Sequence, residues 1–409
     1  MATQVKEEFD VGGIRLERPF KIRRLGHFGY YATDMAASMR FYNELLGFQI
    51  TDVLDFGARA ADPKMLEGLG DSRAFFMRYG TDHHAFVLFP WRVRKALDTE
   101  NRIRPGATMN QITWQVGSLR EVRNATDWFT EHGIEYNRTG RDLPGSNWHV
   151  YPFDPDGRIN ELYYGIEQIG WDGLSKPRDM YDQKFMGPPE VPYMREAEEV
   201  RLARQGGVDI YAGTNSLEQG EAPYDVGGIM LPRPFKITGI GPVRLFSENM
   251  AETLDFYVDR LGFVLTETTE WEGERCHFLR CGTEHHSLAL YPMKLREELG
   301  MTDWSTSFSF GLRVNDYAQL KAAITYLKER GVEIRYFPTE LFPGMDYTAF
   351  AMDPDGHAVQ LYCYMEQVGW DGRPRPADQR RKVDNDNWPE SIHPLSDTFA
   401  GEQYMGPWG

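Results

Sequence analysis

The sequence predicts an α+β protein made of tandem βαβββ modules, arranged as two domains that are each an incomplete barrel of two modules. Three observations predict it. First, the chain repeats itself. "DVGGI" at Asp10–Ile14 returns at Asp225–Ile229, "RPFKI" at Arg18–Ile22 returns at Arg233–Ile237, and "FY" at Phe41 returns at Phe256, each 215 positions on. Second, "HH" returns from His83 to His285 after 202 positions, and "DPDG" and "GWDG" return from Asp154 and Gly170 after 199. Third, each copy runs twice through a strand, a helix and three strands.

The elements follow in order. "RLGHFGYYAT" reads as a strand. In "DMAASMRFYNELLG", Asp34 can cap a helix whose apolar stripe is Met35, Met39, Tyr42 and Leu46, and Gly47 can end it. "FQITDVLDF", "AFFMRYG" and "HAFVLFP" read as the three strands that complete the first module. The second module opens with the strand "MNQITWQVGS", continues with the helix "LREVRNATDWFTEHG", and closes with "IEYNRTG", "NWHVYPFDP" and "INELYYG". The fall in repeat distance from 215 to 202 leaves the first copy thirteen residues longer near "FGARAADPKMLEGLGD", which reads as a surface loop or lid. "DPDG" reads as a turn. "GWDG" and the tail "HPLSDTFAGEQYMGPWG" read as docking arms.

One βαβββ module has too little apolar surface to stand alone. Two modules can curl their sheets around a shared space, and the inward faces then define a pocket. The domains are expected at residues 1–205, with an N-terminal arm, and 206–409, with the C-terminal tail.

Composition narrows the function. The net charge of −16 argues against nucleic acid or an anionic membrane as partner, since both need clustered Lys and Arg. Three cysteines, Cys276, Cys281 and Cys363, lie away from any zinc-like His spacing, so no disulfide framework is expected and a cytoplasmic setting is. No run of eighteen apolar residues occurs, and the N-terminus lacks a signal-like core.

The motifs resemble the vicinal oxygen chelate superfamily, and within it the two-domain extradiol ring-cleaving dioxygenases, over roughly residues 20–172 and 235–371. "LGHFGYYATDMAASMRFYNELLGF" is similar to the family's opening strand and helix. Tyr151 to Glu161 has the spacing Y-x-x-D-P-x-G-x-x-x-E around the family's pocket tyrosine and ligand carboxylate, and "DHHAF" resembles its His pair. The resemblance implies metal ligation by His27 and Glu161, an acid/base role for His84 and a substrate-facing Tyr151. The family's third ligand is a His, and Gln111 stands in its place, as Gln does in glyoxalase-like members. Asp142 stands where a second pocket His is expected. His149 lies two residues before Tyr151, so it shares a strand face with it and is an alternative to Gln111 for completing the shell. Trp114, Trp148 and Phe153 are expected as pocket walls.

The second copy departs throughout: Pro242 replaces His27, Ser309 replaces Gln111, Gln360 replaces Glu161 and Phe350 replaces Tyr151. It is expected to pack rather than bind metal. The implied activity is an Fe(II)-dependent dioxygenase, with Mn(II) or another divalent ion as alternative, acting on a catechol-like small aromatic with O2 in a homo-oligomer. Two other readings remain open: a metal-dependent isomerase, epimerase or lyase, and a non-catalytic binder of aromatics.

Overall fold

The computed structural model describes residues 8–98, 103, 108–141, 144–145, 147–181, 184–217, 220–368 and 371–392. The strands of the first copy are β1 (Phe9–Val11), β2 (Ile14–Leu16), β3 (Ile22–Ala32), β4 (Gln49–Asp55), β5 (Arg73–Arg78), β6 (Phe86–Pro90), β7 (Met109–Val116), β8 (Tyr136–Arg141), β9 (Trp148–Pro152) and β10 (Asn160–Tyr164). The second copy repeats them ten labels later: β11 (Tyr224–Val226), β12 (Ile229–Leu231), β13 (Ile237–Ser247), β14 (Val264–Trp271), β15 (Glu274–Arg280), β16 (Leu288–Pro292), β17 (Ser307–Val314), β18 (Ile334–Arg335), β19 (Thr348–Met352) and β20 (Ala358–Tyr362).

Each "DVGGI" repeat forms a small hairpin, β1–β2 and β11–β12. The remaining strands form two eight-stranded sheets of identical order, β4-β5-β6-β3-β7-β10-β9-β8 and β14-β15-β16-β13-β17-β20-β19-β18. Each sheet is two four-stranded modules joined by an antiparallel seam, β3 to β7 or β13 to β17. Within each module the first strand runs parallel to the last, and the helix carries the chain from the first strand across to the second at the outer edge, from which the strands step back. The expected α+β class and the paired modules are what the chain adopts.

The first crossover starts as read. The Asp34 side chain accepts from the Ala37 amide at 3.1 Å and caps α1 (Met35–Met39). It then departs from a plain α-helix: residues Arg40–Leu45 widen into a π-helical segment. The wider turn lets the neighbours Phe41 and Tyr42 both be buried. The longer crossover of the second module, Leu119–Glu131, is capped by Ser118.

Strand alternation splits the residues of β3. Phe28 and Tyr30 face the helices, in the core with Phe41, Tyr42 and Phe86. His27, Gly29 and Tyr31 face the concave side. The thirteen-residue excess lies between β4 and β5, carrying a short 3-10 turn at Pro63–Leu66; the second copy turns there directly through Glu272 and Gly273.

The two copies dock by a reciprocal contact. The Tyr42 hydroxyl donates to Asp353 Oδ2 at 2.9 Å, and the Tyr257 hydroxyl donates to Asp154 Oδ2 at 3.1 Å. The Phe28 and Phe310 rings stack between them at 4.6 Å. The "DPDG" segments are therefore turns, and each also ties one copy to the other. Part of the second "GWDG" segment and the tail from residue 393 lie outside the described residues, as does Asp142. Among the described residues no helix is long and apolar enough to cross a membrane.

Candidate metal centre

Three central strands bring the candidate ligands together. His27 on β3 pairs across the ladder with Thr113 on β7, and Thr113 pairs with Glu161 on β10. Gln111 lies two residues along β7 on the same face. Glu161 Oε2 consequently meets His27 Nε2 at 3.0 Å, Gln111 Nε2 at 3.1 Å and Thr113 Oγ1 at 3.0 Å, and Gln111 Nε2 lies 2.8 Å from His27 Nε2. His27 and Glu161 are almost fully buried.

These spacings suit a divalent ion. Three donors at about 2.1 Å from an octahedral ion, on one face, stand roughly 3.0 Å from one another. A half-turn of the Gln111 carboxamide presents Oε1 instead of Nε2 at the same point. Among the described residues no group of three or more His, Cys, Asp or Glu is placed to hold a metal. The donor set is instead one imidazole, one carboxylate and one carboxamide, harder than a set with two imidazoles and fitted to Fe(II), Mn(II) or Mg(II).

The other carboxylate oxygen is held from behind. Asn147 Nδ2 donates to Glu161 Oε1 at 2.5 Å, and His149 Nδ1 lies 3.5 Å from it. His149 Nε2 accepts from Arg138 Nη1 at 2.8 Å, so its ring proton sits on Nδ1, toward Glu161. His149 thus addresses Oε1, whereas Gln111 and His27 address Oε2. Burial alone would raise the Glu161 carboxyl, but His27, His149 and Thr113 outweigh it and hold the group below its usual range.

The His pair sits beside this centre. The His84 ring lies 4.3 Å from that of His27, and His84 Nδ1 is 3.1 Å from His83 Nδ1. Burial, followed by repulsion from His27 and His83, pushes the His84 pKa well below the usual histidine value. Gly145, at φ +89°, covers the pair; a Cβ there would stand 2.9 Å from His84 Cε1. The same pairing in the second copy, His285 with His286 at 3.0 Å, gives it a share in the fold as well. Tyr151 is nearly buried, its ring 4.4 Å from His149 and under the Arg138 guanidinium at 5.0 Å.

The expected walls are corrected. Trp114 and Trp148 alternate onto the faces opposite Thr113 and His149: Trp114 donates to Asn160 Oδ1 and packs on Phe263, and Trp148 packs on Tyr193. Phe153 lines an outer groove with Ile134 and Phe256. The concave wall is Leu54, Ala74, Phe76 and Val87, with Phe56 and Phe89 at its rim.

In the second copy the corresponding space is filled. Arg244, at the position of Gly29, turns its guanidinium inward. It donates to Gln360 Oε1 at 2.5 Å and Ser309 Oγ at 3.2 Å, and approaches His286 Nε2 at 3.0 Å. Ala289 takes the place of Val87 and makes room for it, while Phe308, Phe342 and Phe350 pack the remainder. Thr113, Asn147, Arg138 and Arg244 are absent from the sequence reading. Parity with Gln111 on the same strand was the available signal for the face of Thr113, and a lone Arg within "GPVRLFS" for Arg244; Asn147 and Arg138 had none.

The chain belongs to the Glyoxalase/Bleomycin resistance protein/Dioxygenase superfamily, whose model matches residues 24–162 and 239–361. It is 27% identical over 125 residues to the 2,2',3-trihydroxybiphenyl dioxygenase of Sphingomonas paucimobilis, covering 31% of this chain and 41% of that one. It is 25% identical over 183 residues to Metapyrocatechase 2 of Cupriavidus necator, covering 43% and 48%. The matches therefore span less than half the length of these relatives. Among solved structures, the Mn(II)-bound glyoxalase from Novosphingobium aromaticivorans superposes with a TM-score of 0.52 at 16% identity, over 86% of this chain and 85% of that one, a likeness of fold.

Proposed function

We propose that this chain is a metal-dependent extradiol-type dioxygenase that opens a catechol or related hydroxylated aromatic ring with O2. The observation that carries the reading is the convergence of His27 Nε2, the Gln111 carboxamide and Glu161 Oε2 within 3.1 Å of one another on a buried concave face. The relatives named as dioxygenases support the same chemistry. The ligand-bearing domain is taken as residues 1–205, and the domain of residues 206–409 as its support.

Bound by these three residues, Fe(II), with Mn(II) as the alternative, would supply open positions for two vicinal substrate oxygens and electron exchange with O2. The chain's own groups do the rest. Glu161 stays anionic because its partners outweigh burial. Asn147 and His149 hold Oε1, which fixes the direction of Oε2. Burial keeps the His84 ring neutral; with Nδ1 as the donor to His83, Nε2 is the free acceptor that can take the proton of a ring hydroxyl. Tyr151 hydrogen-bonds a substrate oxygen. Gly29 and Val87 leave a flat wall beside the centre; a Cβ on Gly29 would stand 2.4 Å from Val87.

The test is oxygen uptake with a panel of catechols after anaerobic Fe(II) loading, beside Glu161→Ala. Uptake matched by a ring-opened product in the wild type, and lost in the variant, is expected. A second reading is favoured by Gln111, whose neutral oxygen donates less to the ion than imidazole: a metal-dependent isomerase or lyase. Retained metal without oxygen uptake on any catechol would decide for it.

A further inference from the structure

The concave face of the first copy ends in a cation. From the candidate metal centre the wall runs from His84 to Phe76 at 5.2 Å, from Phe76 to Phe89 at 5.8 Å, and on to the Arg94 guanidinium 5.7 Å from the Phe89 ring. Arg94 also lies over Phe56 at 5.1 Å and reaches the Tyr31 hydroxyl. Its Nε is buried without a hydrogen-bond partner, and among the described residues no carboxylate pairs with it. Asn110 joins the same hydroxyl, Nδ2 to Tyr31 at 3.3 Å, while its Oδ1 is likewise buried and unpartnered; the residue is 7% exposed.

Arg94 Nε–H is one free donor at the end of this aromatic wall; with its carboxamide turned over, Asn110 would accept from the Tyr31 hydroxyl through Oδ1 and offer Nδ2 as a second, and a ligand's carboxylate would accept from both. The second copy has no counterpart. Phe308 stands at the Asn110 position and stacks on Phe246, which replaces Tyr31; Arg296, in the place of Arg94, is turned to the Ser305 carbonyl. The first copy alone keeps the space polar.

We propose that Arg94 and Asn110 form a subsite for a carboxylate carried on the aromatic substrate, so that this pocket takes ring acids in preference to neutral rings. This rests on the first copy's concave face being the substrate pocket, and it deepens the dioxygenase reading. Arg94 is a binding residue here; it moves no proton. A guanidinium facing a carboxylate in a half-buried site gives a charge-assisted pair, and the amide of the same acid offers no anion to it.

The experiment uses the full chain without added metal, and aryl carboxylates from benzoate to 4-phenylbutyrate beside their primary amides, none of which carries vicinal oxygens. Calorimetric titration is expected to show at least one acid bound roughly ten- to hundredfold more tightly than its amide. Arg94→Met should erase that gap and Arg94→Lys should keep part of it. Asn110→Asp, which places a carboxylate beside Arg94, should also erase it and serves if Arg94→Met does not fold. Acids and amides binding alike, no acid binding, or a gap that survives Arg94→Met would overturn the proposal. In turnover, Arg94→Met should raise KM for 3,4-dihydroxyphenylacetate with kcat kept, and leave 4-ethylcatechol unchanged. If no catechol consumes O2 while the acid–amide gap persists, the dioxygenase reading fails and the subsite stands.

Discussion

Arg244 donates to Gln360 at 2.5 Å inside the second copy, and neither side chain has any exposure to solvent. At the corresponding place in the first copy, Glu161 meets His27 and Gln111. The amide and the carboxylate answer different needs. A buried carboxylate needs a cation, which the first copy's donors can hold as a metal. The second copy carries its own cation on the chain and distributes it over Gln360, Ser309, His286, the Met345 sulfur and the face of Phe342.

Arg244→Met should therefore destabilise the protein. It keeps the length of the side chain but strands Gln360, Ser309 and His286 in an apolar core, where each unsatisfied group costs about 1–3 kcal/mol. A loss of about 2–5 kcal/mol in urea unfolding is expected. Adding Gln360→Met should recover part of it, as buried polar clusters replaced together do. Metal bound per chain should not change, because the proposed centre lies in the other copy. An Arg244→Met protein as stable as wild type would refute the packing role.

The second oxygen of Glu161 matters because it aims the first. Asn147→Ala frees Oε1 from its 2.5 Å bond without touching Oε2. Loss of such a supporting bond weakens metal binding by about 10–100-fold. Competition with a fluorescent chelator should record that loss, beside an unfolding cost of about 1–3 kcal/mol for the stranded Oε1. Unchanged affinity would mean that Oε1 needs no anchor.

On the dioxygenase reading proposed above, His84 handles a proton and binds no metal. Replacing it by Phe keeps an aromatic ring against His27 and Phe76 but removes the base. Turnover should fall about 10²–10⁴-fold, while metal content by elemental analysis stays at the wild-type level. Metal lost together with activity would instead make His84 part of the ligand set.

Much of this was legible in the sequence, and the limits have physical causes. The repeat marked two copies, the family resemblance pointed to His27, Gln111 and Glu161 together, and period-two alternation put His149 and Tyr151 on one strand face, because a strand leaves side chains only two directions. What stayed hidden depends on which strands become neighbours. Thr113 and Asn147 touch Glu161 only through ladder register and loop closure, neither of which has a local signature. Trp114 and Trp148 read as walls from their aromaticity, yet parity with Thr113 and His149 already turned them away. Arg244 reaches the centre of its copy because Gly29 and Val87 are exchanged there for Arg and Ala, a pairwise change invisible along one strand.

The docking of the two copies gives a prediction with a sign. Asp156 accepts from Ser247 Oγ at 2.6 Å and from Asn249 across the boundary. Burial would raise its carboxyl, but Arg158 and the Ser247 and Asn249 bonds outweigh that and depress it below the ordinary value. A depressed carboxyl stabilises the folded state above its unfolded pKa, roughly 4, and that stability is lost as pH falls through the folded value. The wild type should lose stability on acidification below about pH 4, and Asp156→Asn should lose less over the same range. At neutral pH, Tyr257→Phe removes the donor to the buried Asp154 and should cost about 1–3 kcal/mol. Tyr42→Phe, at the reciprocal contact with Asp353, should cost a similar amount, and the two losses should add because the sites share no partner. Urea unfolding at pH 7 and pH 3.5 for the wild type, the three single variants and the Tyr42→Phe/Tyr257→Phe double variant measures both effects. An Asp156→Asn protein with the wild-type acid dependence would mean that the acid sensitivity arises elsewhere in the fold.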